Sequence, residues 1–311
     1  MKTSLRSPAT PHGRVFLAGF LALFSAGCLT WEKQTILVTF PKEQNELRIL
    51  IVYHGLGVAG KDAKQLENAK TQLSLLVNRD GFFLGDSTLL GVSLKLGKND
   101  ELNAQKLQAL KVLKHHVVID EGMFVTGKNN SLSFCQPLTV RDPVRFTVWL
   151  NQMIREELVP LLKSRKDDSF WDDETVRMVQ EAADKEIPFV RYEPGRFSLT
   201  VAGTHKFFAK LKRSFLDENK VWTTEDWRAF ANSFANTPLS LVQGSDQITL
   251  SLGWGGNQPF RVTTESNGRS VDTMDLQAFA RTLKAPFRND ISLEKVLDDF
   301  EQTQVLALPA K

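Results

Sequence analysis

Residues 31–60 read "WEKQTILVTFPKEQNELRILIVYHGLGVAG". Two apolar runs, "WEKQTILVTF" and "LRILIVYH", stand either side of the polar link "PKEQNE", and that pattern predicts a β-hairpin. The hairpin decides the fold. A strand that forms the second arm of a hairpin has an antiparallel neighbour, whereas the glycines that follow, Gly55, Gly57 and Gly60 in G-x-G-x-x-G order, would in a β-α-β unit open a parallel sheet.

Outward from the hairpin, Leu66, Ala69, Leu73, Leu76 and Val77 recur at helical spacing, predicting a helix over 61–77 with one apolar stripe laid on a sheet. "GFFLGDSTLLGVSLKL" is short-strand material broken by Gly85 and Gly91. Residues 101–114 are polar and helix-forming, and predict a surface helix. Next, "HHVVIDEGMFV" and "SLSFCQPLTV" flank the turn cluster "TGKNNS", a second hairpin. Asp142 followed by Pro143 is a cap with proline at the first helical position, so a helix should run from there to about Leu162.

The charged stretch "KSRKDDSFWDDE" is the best candidate for a boundary between two halves, 28–165 and 166–311, which can equally form one continuous domain. The second half offers a helix near 172–185, strands at "PFVRY" and "RFSLTVA", and a helix from Thr204 to Leu216. "LSLVQ", "QITLSLGW" and "PFRVTTES" then predict an antiparallel meander, followed by helices near 273–284 and 292–301. Hairpins and a meander packed with amphipathic helices, without strict β, α, β alternation, indicate an α+β fold.

The chain has 311 residues, 42% of them hydrophobic, enough for one large or two modest cores. Its first 27 residues stand apart. Lys2, Arg6 and Arg14 precede the apolar run "VFLAGFLALF", and the small residues Ser25, Ala26 and Gly27 follow, the order of an export signal. That run is too short to span a bilayer, which takes about 20 residues.

Cys28 comes immediately after Gly27, and "LFSAGC" resembles the lipobox of bacterial lipoproteins. The resemblance covers the leader alone, and Ser25 stands where that family usually has Leu, Val or Ile. Cleavage by an ordinary signal peptidase after Gly27 or Ala26 is the alternative. The resemblance implies removal of residues 1–27, diacylation of Cys28 and a membrane-anchored address at the cell envelope. The acyl chains contribute about 0.8 kcal/mol per buried methylene. Thr30 is not the aspartate that resembles an inner-membrane retention signal, so the outer membrane is the expected destination.

Loss of Lys2, Arg6 and Arg14 leaves 36 basic against 36 acidic residues. A mature chain of zero formal charge gives no reason to expect nucleic-acid binding, which draws on a net basic face. With Cys28 acylated, Cys135 is alone, and no intrachain disulfide is expected.

Several chemistries can be laid over "GLGVAG". As a dinucleotide fingerprint it resembles Rossmann proteins over about residues 48–86, implying Gly55, Gly57 and Gly60 around a pyrophosphate. The acidic ribose partner is misplaced, however, since Asp80 precedes the next strand and Asp86 comes late. As the phosphate loop of nucleoside triphosphatases, Gly55 to Lys61 fits, with "VVIDE" ending at Asp120 and Glu121 as the metal strand. Asp62 then occupies the place of the magnesium-binding Ser or Thr.

His54 and Gly55 resemble the "HG" of α/β-hydrolases, but no serine sits in G-x-S-x-G. Gly85 to Ser87 with Gly97 to Asp100 resembles the blocks of GDSL-type hydrolases, yet Ala202 stands three residues before the last histidine, His205, where an aspartate is needed. His115 and His116 are adjacent, so on a strand they face opposite ways, while His116 and Asp120 share a face; a metal is not expected. "THKFFAKLKRSFL" is a basic amphipathic helix, better suited to a core than to lipid.

The expectation is therefore an exported envelope lipoprotein, with a leader removed before Cys28, a short tether and an α+β body, a non-catalytic binding or scaffolding role and no cofactor. Its partners would be the membrane and an envelope protein or ligand of unknown kind. The alternative is a secreted nucleotide-dependent oxidoreductase using Gly55, Gly57 and Gly60.

Overall fold

A computed structural model describes residues 28–41, 45–60, 62–84, 90–94, 104–127, 131–158, 173–193, 196–204, 239–243, 247–255, 259–265 and 274–309. Strands β1 (Leu29–Thr30), β2 (Lys33–Thr39), β3 (Glu46–His54) and β4 (Gly57–Val58) precede helix α1 (Ala63–Val77). Strands β5 (Gly81–Leu84) and β6 (Leu90–Ser93), helix α2 (Ala104–His116) and strands β7 (Val117–Ile119), β8 (Met123–Thr126) and β9 (Leu132–Arg141) follow. Helix α3 (Pro143–Met153) runs into a π-helical turn, Ile154–Leu158. Beyond it lie α4 (Asp173–Asp184), β10 (Val190–Glu193), β11 (Arg196–Thr204), β12 (Leu239–Gln243), β13 (Gln247–Gly255) and β14 (Phe260–Glu265). Helix α5 (Met274–Ala280), β15 (Phe287–Arg288) and α6 (Leu293–Thr303) complete the described chain. The fold is α+β with mostly antiparallel strands.

The main sheet has the order β14, β2, β3, β9, β8, β15, with β7 also on β9. The hairpin of β2 and β3 forms as its residues predict, Lys33 opposite His54 and Thr39 opposite Arg48. β3 is central because residues 49–53, Ile-Leu-Ile-Val-Tyr, form an unbroken apolar run, which suits a strand covered on both faces. Ile51 and Tyr53 face α1, with its Ala69, Leu73 and Leu76, and Leu276 and Ala280 of α5. Leu50 and Val52 face the other way, onto Val296, Leu297 and Phe300 of α6. Each of these side chains is under 7% exposed, so each buried Leu, Ile, Val or Phe stabilises by roughly 1.5–3 kcal/mol.

The expected meander divides. β12 and β13 pair with each other and, through β11 and β10, make a four-stranded antiparallel sheet. β14 leaves it and pairs with β2 over six residues, Phe260 opposite Val38 and Glu265 opposite Lys33. β2 would otherwise present an unpaired edge, and the ladder to β14 satisfies it. Arg261 of β14 then reaches Asp298 at 2.7 Å and Glu301 at 2.7 Å on α6. β15 adds to β8 in parallel, stacking Phe287 on Phe124 with ring centroids 4.7 Å apart. The main sheet thus takes strands from both sides of the charged stretch.

Two helices differ from expectation. α2 continues through His115 and His116, which end a helix rather than open a strand, and His116 Nδ1 lies 2.7 Å from the Arg141 carbonyl. α3 starts as predicted at Asp142, whose side chain accepts from the Arg145 N–H, but gives way to the π-turn after Met153. The predicted helix at Thr204 to Leu216, the "GDS" of Gly85 to Ser87 and the "GKND" of Gly97 to Asp100 lie outside the described residues, Thr204 excepted, which ends β11. Among the described residues no helix is long and apolar enough to cross a membrane.

Candidate functional site

β7 and β8 are one strand interrupted. Ile119 pairs with Leu138 and Met123 with Cys135, so one side advances four residues while β9 advances three. The surplus residue makes a bulge of Asp120, Glu121 and Gly122. Pro137 of β9 sits against it, and its carbonyl accepts the Asp120 N–H at 3.0 Å. In a strand the N and carbonyl of one residue point the same way, so the missing N–H of Pro137 faces the bulge, where it breaks no ladder bond. Gly122 is required there. A Cβ on it would lie 2.5 Å from Phe134 Cζ and 2.6 Å from the Cys135 carbonyl oxygen.

The bulge floors a cleft of about 330 Å³ on the α6 side of the sheet. Asp120 and Glu121 come from the bulge, and Arg48 and Thr139 are cross-strand partners on β3 and β9. Thr139 Oγ1 donates to Asp120 Oδ2 at 3.3 Å, Glu46 holds Arg48 at 3.1 Å, and Arg79 stands 3.8 Å from Glu121. Phe300, Leu306 and Leu308 supply an apolar wall where the chain leaves α6 through Gln304, whose φ is +59°. Two carboxylates, a guanidinium and a hydroxyl beside an apolar wall suit a ligand with both charged and apolar parts.

The glycine loop is built differently. Gly55, at φ +62°, turns the chain, and its N–H reaches Ser133 Oγ at 3.3 Å. The Leu56 N–H donates to the Leu132 carbonyl at 2.6 Å, and the Ala59 N–H to that of Cys28 at 2.9 Å. Gly57 and Val58 pair with Thr30 and Leu29. Gly60 has the Gln65 side chain where a Cβ would stand. At the N-terminus of α1, Asp62 Oδ1 accepts from the N–H groups of Lys64, at 2.7 Å, and Gln65, at 3.4 Å. That carboxylate takes the position a bound phosphate would occupy. β3, which leads into the loop, has antiparallel partners on both sides.

Cys28 is half-buried at the edge of the first core cluster, and Asn68 Nδ2 lies 3.7 Å from its Sγ. The next residues go straight inside. Leu29 and Trp31 are 1% exposed, the Leu29 N–H donates to Gln72 Oε1 at 2.8 Å, and Trp31 meets Tyr53 edge-on at 5.2 Å. His54 Nε2 lies 2.9 Å from Thr35 Oγ1, which is 3.2 Å from Thr263 Oγ1. Burial pushes its pKa down to about 4, with Lys33 acting in the same sense and Glu294 opposing. Among the described residues no group of three or more His, Cys, Asp or Glu is placed to hold a metal.

Asp120 and Glu121 drew notice in the sequence as the end of "VVIDE", while Arg48, Thr139 and Phe300 did not. Gly122 after two carboxylates and Pro137 inside an apolar strand are the marks of a bulge from which the cleft was foreseeable. Comparison of the chain with protein-family models, characterised proteins and solved structures finds no match.

Proposed function

We propose that this chain is an exported, lipid-anchored protein of the cell envelope, with the outer membrane as its destination. Its role is binding or scaffolding rather than catalysis. The observation that carries the address is the leader, in which basic residues, an apolar run and small residues end at Cys28. The half-burial of Cys28 beside exposed Asn68 is compatible with acyl chains leaving the body there. The cleft over the bulge is the surface assigned to ligand or partner, because it sets charged groups against an apolar wall.

The test is intact mass and membrane partitioning of natively expressed protein, beside Cys28→Ala. A mature chain beginning at Cys28 with added acyl mass, lost together with membrane partitioning in the variant, is expected. An unprocessed, soluble chain overturns the address. A chain cut after Ala26 or Gly27 without acyl mass keeps export and removes the anchor.

A further inference from the structure

Four consecutive residues from Cys28 are tied into the fold. The Cys28 carbonyl accepts from Ala59, Leu29 and Thr30 pair with β4, and Trp31 is buried against Tyr53. The Glu32 N–H continues the series, donating to the His54 carbonyl at 2.9 Å. An acyl group on Cys28 would therefore be joined to the body with no free chain between them. This rests on the proposed anchoring at Cys28. The side chains of α1 that stand exposed beside that point are Lys64, Glu67, Asn68 and Thr71. They are polar and of both signs, suited to a headgroup layer and not to the acyl interior.

Cys28 and α1 belong to one face of the main sheet, and the cleft with Asp120, Glu121 and Phe300 to the other. A helix is about 10–12 Å across, so α1 and α6 with the sheet between them put the outer sides of the two helices on the order of 30 Å apart. We propose that the anchor has no tether: the body lies with the Cys28 end of α1 on the lipid headgroups, in one orientation, and the cleft is turned away from the bilayer toward the aqueous compartment. Most of the conformational freedom that a flexible linker would give is absent.

The test uses the full acylated protein in vesicles of phosphatidylethanolamine and phosphatidylglycerol, part of them carrying a headgroup nitroxide. A fluorophore is placed at Thr71→Cys on α1 or at Gln302→Cys on α6, both exposed positions. Quenching several-fold stronger at 71 than at 302 is expected. An insert of about twelve Gly and Ser residues between Cys28 and Leu29, with a reach of about 20 Å, should reduce the difference.

Acyl mass is measured on every sample. Acylated protein with equal quenching at the two positions, or a difference that survives the insert unchanged, overturns the orientation and leaves the anchor standing. Protein without acyl mass overturns the anchor and the orientation together.

Discussion

The Tyr53 hydroxyl lies 3.2 Å from Gln136 Oε1, both side chains fully buried on neighbouring strands of the main sheet. It also accepts the Phe83 N–H at 3.0 Å, while Gln136 Nε2 donates to the Gly81 carbonyl at 2.9 Å. Gln34 Nε2 donates to the Phe83 carbonyl at 2.9 Å. β5 pairs with β6 in a separate two-stranded sheet, and the three buried polar side chains serve the Gly81 and Phe83 backbone groups that face the main sheet.

Tyr53→Phe keeps the ring and removes the hydroxyl. The Phe83 N–H loses its acceptor, and a loss of about 1–3 kcal/mol is expected in urea unfolding at neutral pH. Burial holds the Tyr53 phenol well above its ordinary range. The group is neutral in the fold and ionises near pH 10 once unfolded, so its contribution is whole below pH 10 and declines as pH rises past it. Wild type and variant should converge above pH 10; a constant gap would count against this account.

His54 carries the opposite sign. Its pKa is pushed from 6.5 down to about 4, so the fold favours the neutral ring. Stability is complete above pH 6.5 and falls as the pH drops toward 4. Against His54→Gln, which cannot gain a proton, the wild type should lose about 1–2 kcal/mol more between pH 7 and 4.5, the full shift being discounted for partial contact with solvent. Equal urea midpoints across that range would remove His54 as the cause.

Gly122→Ala tests the bulge. The new methyl would meet Phe134 and the Cys135 carbonyl, and one of those is backbone that cannot swing aside. A destabilisation of about 1–3 kcal/mol is expected, with weakened amide protection in β8 and β9. Unchanged melting would mean that the bulge relaxes freely.

Thiol counting distinguishes a chain acylated at Cys28 from one that is not. Burial pushes the Cys135 thiol up to about 12, so it should resist a thiol reagent at pH 8 until the protein unfolds. A chain acylated at Cys28 should react with no equivalent when native and one when denatured. An additional native equivalent would show a bare Cys28.

The nucleotide alternative makes its own prediction. With Asp62 at the N-terminus of α1 and the loop N–H groups directed to protein acceptors, NAD or NADP at millimolar concentration should give no heat in calorimetry. Saturable binding, lost in Gly57→Ala, would restore the oxidoreductase reading.

Read alone, the sequence determined the local pieces of this protein and their class. Apolar alternation, the polar link at 41–46, the Asp142 and Pro143 cap and the stripe from Leu66 to Val77 each act over a few residues, and the β2 and β3 hairpin, α1 and the start of α3 stand where they point. The tertiary structure decided what depends on distant partners. β14 left its meander because β2 had an open edge, and Asp120 and Glu121 became the floor of a cleft because Pro137 faced a bulge. The segment after Cys28 was drawn inside because β4 and Tyr53 offered it a ladder and a ring. Edge pairing, bulge register and docking are set by groups far apart in the chain, and no periodicity within a short window can carry them.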